Sequence, residues 1–379
     1  MKIGIAGYGK MGSDIFAQLL GTLDASEFVV YCRHNAAENR DKVMRELDKG
    51  QRRKKYSESV CNKRKEAFRF TESIAELGDC ELIIECISED IDAKKDFFAE
   101  VGRIAESAVL TTNSSSLSVG EIFNGLPDGR CAGFHFFYPV RLSEYVEINK
   151  TEQTSDKTVR MLSELSEKIG KKALVLSGDY HMYLNQFISV AISHGILLAQ
   201  RYDLSIAKCM ECFSELFPFT GLFGMADSIG LGLIMKSSEN FRLGRIRELV
   251  RFSSGYMRGW LNEGCPEKPG CFLAYMAERE VGRGTDEPME DIVLSMAAVM
   301  LNEAARAASV CEDDIIGAVG DAVGLAAPMS EYYGKYGYER INAALTQLYE
   351  EYGFEVYKTA DRELFDCFTA PQVNGKDIE

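Results

Sequence analysis

No apolar run in this chain approaches the ~20 residues that a membrane-spanning helix needs, so no membrane span is expected. Nor does an apolar h-region with a small-residue cleavage site precede the first structural signal. Met1-Lys2-Ile3-Gly4-Ile5-Ala6 leads straight into a glycine turn, and the expected location is the cytoplasm. Histidine is scarce, four in 379 residues. His34, His181 and His194 have no metal-ligand spacing with the cysteines, so no metal site is expected. Positive charge is outweighed: 43 Lys and Arg stand against 58 Asp and Glu, and the net charge of −15 disfavours nucleic acid or an anionic membrane as partner. The eleven cysteines are scattered and odd in number, which suits reduced thiols better than a disulfide framework. Cys209-Met210-Glu211-Cys212 is a CxxC in a helical pattern without a second pair. Core and surface thiols are the plainer reading, and redox or metal use is the alternative.

What is present is the balance of a globular protein, 46% hydrophobic and 27% charged, in a chain long enough for two or three domains. Residues 1–180 alternate strand and helix signals, as an α/β domain does. Strands are expected at Lys2–Ala6, Phe28–Cys32, Glu81–Ile87, Ala108–Thr112, Ala132–Phe136, Tyr145–Asn149 and Ala173–Leu176. Helices are expected at Gly12–Leu23 and Asp92–Ala105, and the charged segment Ala36–Lys65 reads as helical and largely solvated. From about residue 181 long helices take over. Gln186–Gln200 is apolar nearly all round, the pattern of a buried helix, and a similar element recurs at Ile292–Ala308. Each is followed by a polar turn, a shorter amphipathic helix and a Phe217-Pro218 or Ala327-Pro328 pair, which reads as a duplicated helical module. The expected division is 1–180, 181–285 and 286–379. The polar stretch Glu278–Glu290 marks the second boundary, and Ala370–Glu379 reads as a loose tail.

Gly7-Tyr8-Gly9-Lys10-Met11-Gly12 follows the first strand and opens the first helix. That context turns a weak GxGxxG pattern into a dinucleotide-binding turn. Gly7 allows the tight turn, Gly9 lets backbone approach a pyrophosphate, and Gly12 lets helix pack on strand. The helix N-terminus adds unpaired N–H groups and a partial positive charge. All six residues, Tyr8, Lys10 and Met11 included, are candidates for contact with NAD or NADP. At the end of the second strand, where an acidic residue would hold the ribose of NAD, the chain has Cys32-Arg33-His34-Asn35. Losing the carboxylate removes repulsion of a 2′-phosphate, which Arg33 can pair with, so the reading leans to NADP(H). Arg33 pointing to solvent is the alternative.

His135 sits in the aromatic run His135-Phe136-Phe137-Tyr138-Pro139, and Glu147 follows it. A nucleotide site feeding one His–carboxylate pair points to hydride transfer coupled to proton transfer. With Glu85-Cys86-Ile87-Ser88-Glu89-Asp90-Ile91-Asp92-Ala93-Lys94-Lys95, Asn113-Ser114-Ser115-Ser116-Leu117, Gly133-Phe134-His135-Phe136-Phe137-Tyr138-Pro139-Val140, Tyr145-Val146-Glu147-Ile148 and Leu184-Asn185-Gln186-Phe187, in that order, the chain resembles the 3-hydroxyacyl-CoA dehydrogenase family, 3-hydroxybutyryl-CoA type. The resemblance is strong over residues 1–200 and weaker to 275. The copy after 290 looks like the extra helical domain of some multifunctional fatty-acid oxidation proteins, without their enoyl-CoA hydratase part. The implied fold is an α/β Rossmann-like domain followed by two related all-α domains of the 6-phosphogluconate-dehydrogenase-like type.

The resemblance implies that His135 is the general base for the 3-hydroxyl proton and that Glu147 holds the other imidazole nitrogen. A packed histidine and a surface glutamate are the plainer alternative. Ser115 and Asn185 match polar residues near the reacting oxygen; unaided, they read as a turn and a helix N-cap. Glu89, Lys94 and Asn113 fall at cofactor-contacting positions, although Glu89 and Lys94 alone would read as a solvated helix start. Tyr138 replaces the Asn of the family's His-Phe-Phe-Asn-Pro, Tyr180-His181-Met182-Tyr183 replaces its Pro-Gly-Phe, and Gln186 stands where Arg usually follows the Asn. These changes bear on the substrate side, including acyl length and the thioester. The cluster Arg52-Arg53-Lys54-Lys55 lies where the family meets the CoA nucleotide, so Arg52 and Lys55 join Ser115 and Tyr138 as substrate-binding candidates; a solvated face is the alternative.

The implied activity is reversible oxidation of a 3-hydroxyacyl-CoA to the 3-ketoacyl-CoA with NAD(P), in fatty-acid and lipid metabolism. One alternative is a dehydrogenase of a free 3-hydroxy acid, which a CoA titration separates. Another is a non-catalytic nucleotide-binding module, against which the joint presence of Ser115, His135, Glu147 and Asn185 speaks. Single-copy members of the family pair through their helical domains. A second copy in the chain can cover that surface, so a pseudo-dimeric monomer is expected, with a homodimer as the alternative.

Overall fold

The apolar runs of the first half become one eight-stranded sheet in the computed structural model, which describes residues 1–126, 129–177, 182–218, 221–240, 244–279, 289–311 and 313–369. The chain divides into two units, Met1–Met182 and Tyr183–Glu379. The expected boundary at 285/286, the tail from 370, and Tyr180 and His181 all lie outside the described residues.

In the first unit, β1 (Lys2–Ala6), β2 (Glu27–Tyr31), β3 (Phe68–Thr71), β4 (Leu82–Glu85), β5 (Val109–Thr112), β6 (Cys131–Phe136), β7 (Tyr145–Lys150) and β8 (Lys172–Leu176) stand in the order β3-β2-β1-β4-β5-β6-β7-β8. Strands β1 to β6 are mutually parallel, the doubly wound order. β7 runs antiparallel to β6, and β8 is parallel to β7. One row of the register crosses the sheet: Thr71, Tyr31, Ala6, Glu85, Thr112, Gly133, Asn149 and Leu176.

Helices α1 (Lys10–Thr22), α2 (Ala36–Arg52), α3 (Glu58–Glu66), α4 (Ile91–Ile104), α5 (Val119–Ile122) and α6 (Asp156–Lys168) cover both faces. The period-two alternation of the strands assigns the residues to them. Ile3, Ile5, Phe28, Val30, Leu82 and Ile84 pack with Phe16 and Leu19 of α1 and Leu162 and Leu165 of α6. Ala6, Val29, Ile83 and Leu110 pack with Phe97, Phe98 and Val101 of α4 and Val119 and Ile122 of α5.

Three features differ from the sequence reading. The charged segment Ala36–Lys65 is two helices, not one. They are parted where Lys54 takes a left-handed φ of 56° and Ser57 caps α3 by accepting from Val60 N at 3.3 Å. The edge strand β3 was not expected, since four residues are too few to show a period and it exists through its pairing with β2. Helix α6 was not expected either; Ser155 caps it, and its polar surface hides the short apolar stripe that docks it.

The second unit is all helix: α7 (Tyr183–Arg201), α8 (Ile206–Cys212), α9 (Gly221–Ile229), α10 (Leu231–Asn240), α11 (Gly244–Asn262), α12 (Phe272–Arg279), α13 (Met289–Ala308), α14 (Ile315–Val323) and α15 (Met329–Tyr352, kinked at Gly337). Helices α7 and α13 are buried nearly all round, as their composition requires. Two of the polar groups that this burial encloses, His194 and Glu303, are held by specific partners. His194 Nδ1 lies 3.0 Å from Tyr357 Oη and its Nε2 3.3 Å from Ser295 Oγ, and burial pushes its pKa down to about 3, so it is a neutral core residue. Arg245 grips the buried Glu303 through Nε and Nη2 at 2.8–3.0 Å. Cys209 and Cys212 are buried on α8, and burial raises the Cys212 thiol, the opposite of what a redox thiolate needs. No helix among the described residues is long and apolar enough to cross a membrane.

Candidate active site

The glycine turn lies between the ends of β1 and β4, where the strand order reverses and open α/β sheets bind ligands. Gly7 has φ +97°, and a Cβ there would stand 2.5 Å from Cys86 O; at Gly12 it would stand 2.0 Å from Gly7 O. Both positions are closed to any side chain. Gly9 is the opposite case, with nothing within 4 Å of its would-be Cβ, so the space over it is open to a ligand. Gly9 also caps α1 without a side-chain acceptor, and the first turn holds no acidic residue. Open backbone and uncapped amides are what a pyrophosphate requires, and a dinucleotide fits. Tyr8 packs edge-on against Phe70, with ring centroids 4.8 Å apart, and burial followed by the nearby Cys32 raises its phenol to about 12. Lys10 Nζ sits 3.8 Å over the Tyr138 ring, and Met11 is half-buried.

His135 and Glu147 face each other directly across the antiparallel pair β6–β7. Directly opposed Cβ atoms in such a pair are about 4.5–5.5 Å apart, which lets the short histidine and longer carboxylate meet. His135 Nδ1 lies 2.7 Å from Glu147 Oε2, with the two side chains 4% and 0% exposed. Alternation along β6 sends Phe134 and Phe136 into the core beneath and His135 to the other face. Nε2 of His135 has no partner among the described residues. An imidazole held this way has one nitrogen fixed and one able to exchange a proton. The loop after His135 is anchored by Asp14 of α1, whose Oδ2 accepts from Val140 N at 2.7 Å, and Lys171 Nζ donates to Ser143 O.

Next to this pair, the segment after β5 is organised by carboxylates. Asn113 Oδ1 accepts from Phe136 N at 2.8 Å, which ties the segment to the histidine's strand. Glu89 Oε1 accepts from Ser114 Oγ, Ser115 N, Ser116 N and Ser116 Oγ at 2.6–3.1 Å. The Ser115 hydroxyl has no such bond and is half-buried. Lys94 Nζ lies 2.6 Å from Glu85 Oε1 and 3.5 Å from Glu89 Oε2. Burial works to raise Glu89, but the Lys94 charge and the serine bonds outweigh it and hold the carboxyl below its usual range. Glu89 is therefore ionised at neutral pH, and its stabilising bonds are lost only as pH falls through the acid range. Glu85 is pushed up by burial, with Lys94, Thr112 and Ile87 N opposing.

These candidates, Gly7 to Gly12, Glu89, Lys94, Asn113, Ser115, His135, Tyr138 and Glu147, all belong to the first unit: on the glycine turn, on β6 and β7, in the segments that follow β4, β5 and β6, and, for Lys94, in the first turn of α4. Asn185 belongs to the second unit; it lies within the first turn of α7, which starts at Tyr183, rather than at an N-cap. Arg33 is exposed after β2, and Arg52 to Lys55 are exposed at the end of α2, with no ion pair to any of them among the described residues. Sequence reading missed Glu85, Asp14 and Glu72, the last of which accepts from Ala36 N at 3.0 Å beside the Arg33 segment. Only Glu85 had a local signal, a carboxylate closing an apolar strand, which needs a buried partner. Among the described residues no group of three metal-ligating side chains occurs.

The chain is similar to known proteins of one family. Residues 2–180 match the family model for the 3-hydroxyacyl-CoA dehydrogenase NAD binding domain. A probable 3-hydroxybutyryl-CoA dehydrogenase of Deinococcus radiodurans is 32% identical over 253 residues, 64% of this chain and 80% of the relative. One from Bacillus subtilis is 29% identical over 281 residues, 69% of this chain and 94% of the relative. The crystal structure of 3-hydroxybutyryl-CoA dehydrogenase from Escherichia coli K12 superposes with a TM-score of 0.77 at 17% identity, covering 97% of this chain and 98% of that one, and so shares the fold.

Gly9→Ala tests the turn. The open space predicts a change in unfolding free energy below about 0.5 kcal/mol. The same methyl fills the pyrophosphate approach, so dinucleotide affinity should fall by roughly tenfold or more, about 1.4 kcal/mol, measured by fluorescence titration. Unchanged affinity would exclude this turn as the phosphate site.

Proposed function

The chain belongs to the 3-hydroxyacyl-CoA dehydrogenase family, and from that premise we propose that it reversibly oxidises a 3-hydroxyacyl-CoA to the 3-ketoacyl-CoA with NAD(P). The observation that carries this reading is His135 Nδ1 at 2.7 Å from Glu147, with Nε2 open. The cofactor, when bound, supplies the hydride acceptor for C3 in oxidation and the donor in reduction. Gly7, Gly9, Gly12 and the amides opening α1 hold its pyrophosphate. His135 Nε2 takes the 3-hydroxyl proton as C3–O becomes a carbonyl, and returns it in reduction. Glu147 keeps the imidazole oriented and offsets its charge once protonated. The unpaired Ser115 hydroxyl donates to the reacting oxygen. Asn185, in the second unit, keeps the role that the resemblance implies.

The acyl-CoA end is met by Arg52 and Lys55 with their two neighbours, four exposed cations without ion pairs that attract the ADP phosphates. Arg33, exposed and unpaired, supports NADP(H), and Glu72 is the nearby carboxylate it has to outweigh. The chain acts as a pseudo-dimeric monomer, with the second helical copy covering the face through which single-copy relatives pair. Burial of both α7 and α13 on nearly all sides supports this. Light scattering should give a monomer, and a dimer would sink that part of the reading.

Reduction of acetoacetyl-CoA, followed by nicotinamide absorbance with NADH and NADPH in parallel, tests the reaction and the cofactor together. Turnover is expected, faster with NADPH. Turnover with a free 3-keto acid and none with the thioester would move the substrate to a 3-hydroxy acid. His135→Ala should lower kcat by about 10²–10⁴-fold and leave cofactor binding within about twofold. An unchanged rate removes His135 from the mechanism.

A further inference from the structure

The segment that Asn113 ties to the histidine's strand rests on a buried ionic cluster that the reaction itself does not call for. Glu85 is 0% and Lys94 1% exposed. Enclosed between two carboxylates, Lys94 acts on what those carboxylates hold. Through Glu89 it holds four donors of the serine segment on a single oxygen, Oε1. An ionised carboxylate is the stronger acceptor for this, because protonation of the group draws negative charge off Oε1 and weakens all four bonds at once. Glu85 holds the base of the same segment: its Oε2 accepts from Thr112 Oγ1 at 2.6 Å, and that oxygen accepts from Ser114 N at 3.2 Å. The result is selective. The hydroxyls on either side of Ser115 are spent on Glu89, and its backbone N–H is pinned, but its own hydroxyl is left free.

We propose that Glu85 and Lys94 are positioning residues which, through Glu89, hold the Ser115 hydroxyl where the reacting oxygen sits. The proposal rests on the role given to Ser115 above. Lys94 is the charge that faces Glu89; Glu85, which ends β4, and Cys86 after it lie against Lys94 in turn, Asp90 is turned to Ala93 N as the cap of α4, and the segment after β5 meets Glu89 with hydroxyls and amides. Lys94 is the single cation among them. Without it, two carboxylates share the cluster unscreened, Glu89 gains a proton at higher pH, and the serine segment loses its acceptor.

The test is a mutant cycle of Lys94→Met and Ser115→Ala in the full chain, with acetoacetyl-CoA reduction measured from roughly pH 5 to 9. Lys94→Met should lower kcat about tenfold or more and move the acid limb of its pH profile upward by about one unit. In the Ser115→Ala background the same change should cost less than about twofold, because the hydroxyl it positions is already gone. Equal losses in both backgrounds, or a wild-type pH profile in Lys94→Met, overturn the proposal. If Lys94→Met does not fold, Glu89→Gln carries the same cycle, with the kcat loss but no shifted limb. Amide hydrogen exchange over residues 113–118 gives a readout free of turnover. Lys94→Met should speed it about tenfold while β1 and β2 keep their protection. Unchanged protection there refutes the positioning role, whereas a wild type that does not reduce acetoacetyl-CoA refutes the proposed reaction instead.

Discussion

The site depends on one constraint, the register in which the strands of the first unit end. Ala6, Glu85, Thr112 and Gly133 lie in a single row, and Asn149 continues it across the antiparallel pair. The glycine turn, the Glu85–Glu89 corner, the Asn113–Ser116 segment and His135 all start within a few residues of that row. A slip of one residue in β6 would turn His135 into the core and expose Phe134 or Phe136 in its place, because the side-chain period of a strand is two. The aromatic packing beneath the sheet therefore protects the chemistry above it. Phe134 and Phe136 anchor the register by burying their rings, and His135 is presented as a consequence.

The reversal at β7 has the same kind of effect. A parallel neighbour for β6 would have needed a crossover connection and would not have brought Glu147 opposite His135 by a short loop. The antiparallel pair does so, and that loop carries Tyr138 back toward Lys10, the first residue of α1. Asp14 ties the loop to the same helix. One helix thus supports both the phosphate-binding turn and the loop beside the acid/base pair.

Two buried arrangements built on carboxylates differ in what they can do. His135 with Glu147 has one free nitrogen, so it can exchange a proton. Glu85, Lys94 and Glu89 are tied to one another and to the hydroxyls and amides around them, so they fix geometry. Burying such charges costs several kcal/mol per ion unless geometry and hydrogen bonds offset it. The short contacts to Thr112, Ile87 and the three serines supply that offset. Such an arrangement contributes rigidity more than stability.

Periodicity placed seven of the eight strands and the two buried helices α7 and α13, the glycine spacing after the first strand placed the turn, and the aromatic run singled out His135, whose role with Glu147 came from the resemblance. Resemblance added Ser115, Asn113, Glu89, Lys94 and Asn185, which as isolated residues read as turns, caps and solvated surface. The break between α2 and α3, the strand β3 and the helix α6 were decided by contacts: a left-handed Lys54, a pairing with β2, and a stripe docked on the sheet. Asp14 and Glu72 escaped notice for the same reason. Their partners lie up to 126 residues away, and no local pattern encodes a pair that forms only when two strand ends or two loops are brought together. The sequence by itself determined which segments could be strands, helices and a phosphate turn, since those follow from side-chain period and backbone freedom. Which hydroxyl stays free, which carboxylate is ionised and which nitrogen is left open was decided by the tertiary structure, because burial and long-range neighbours set all three.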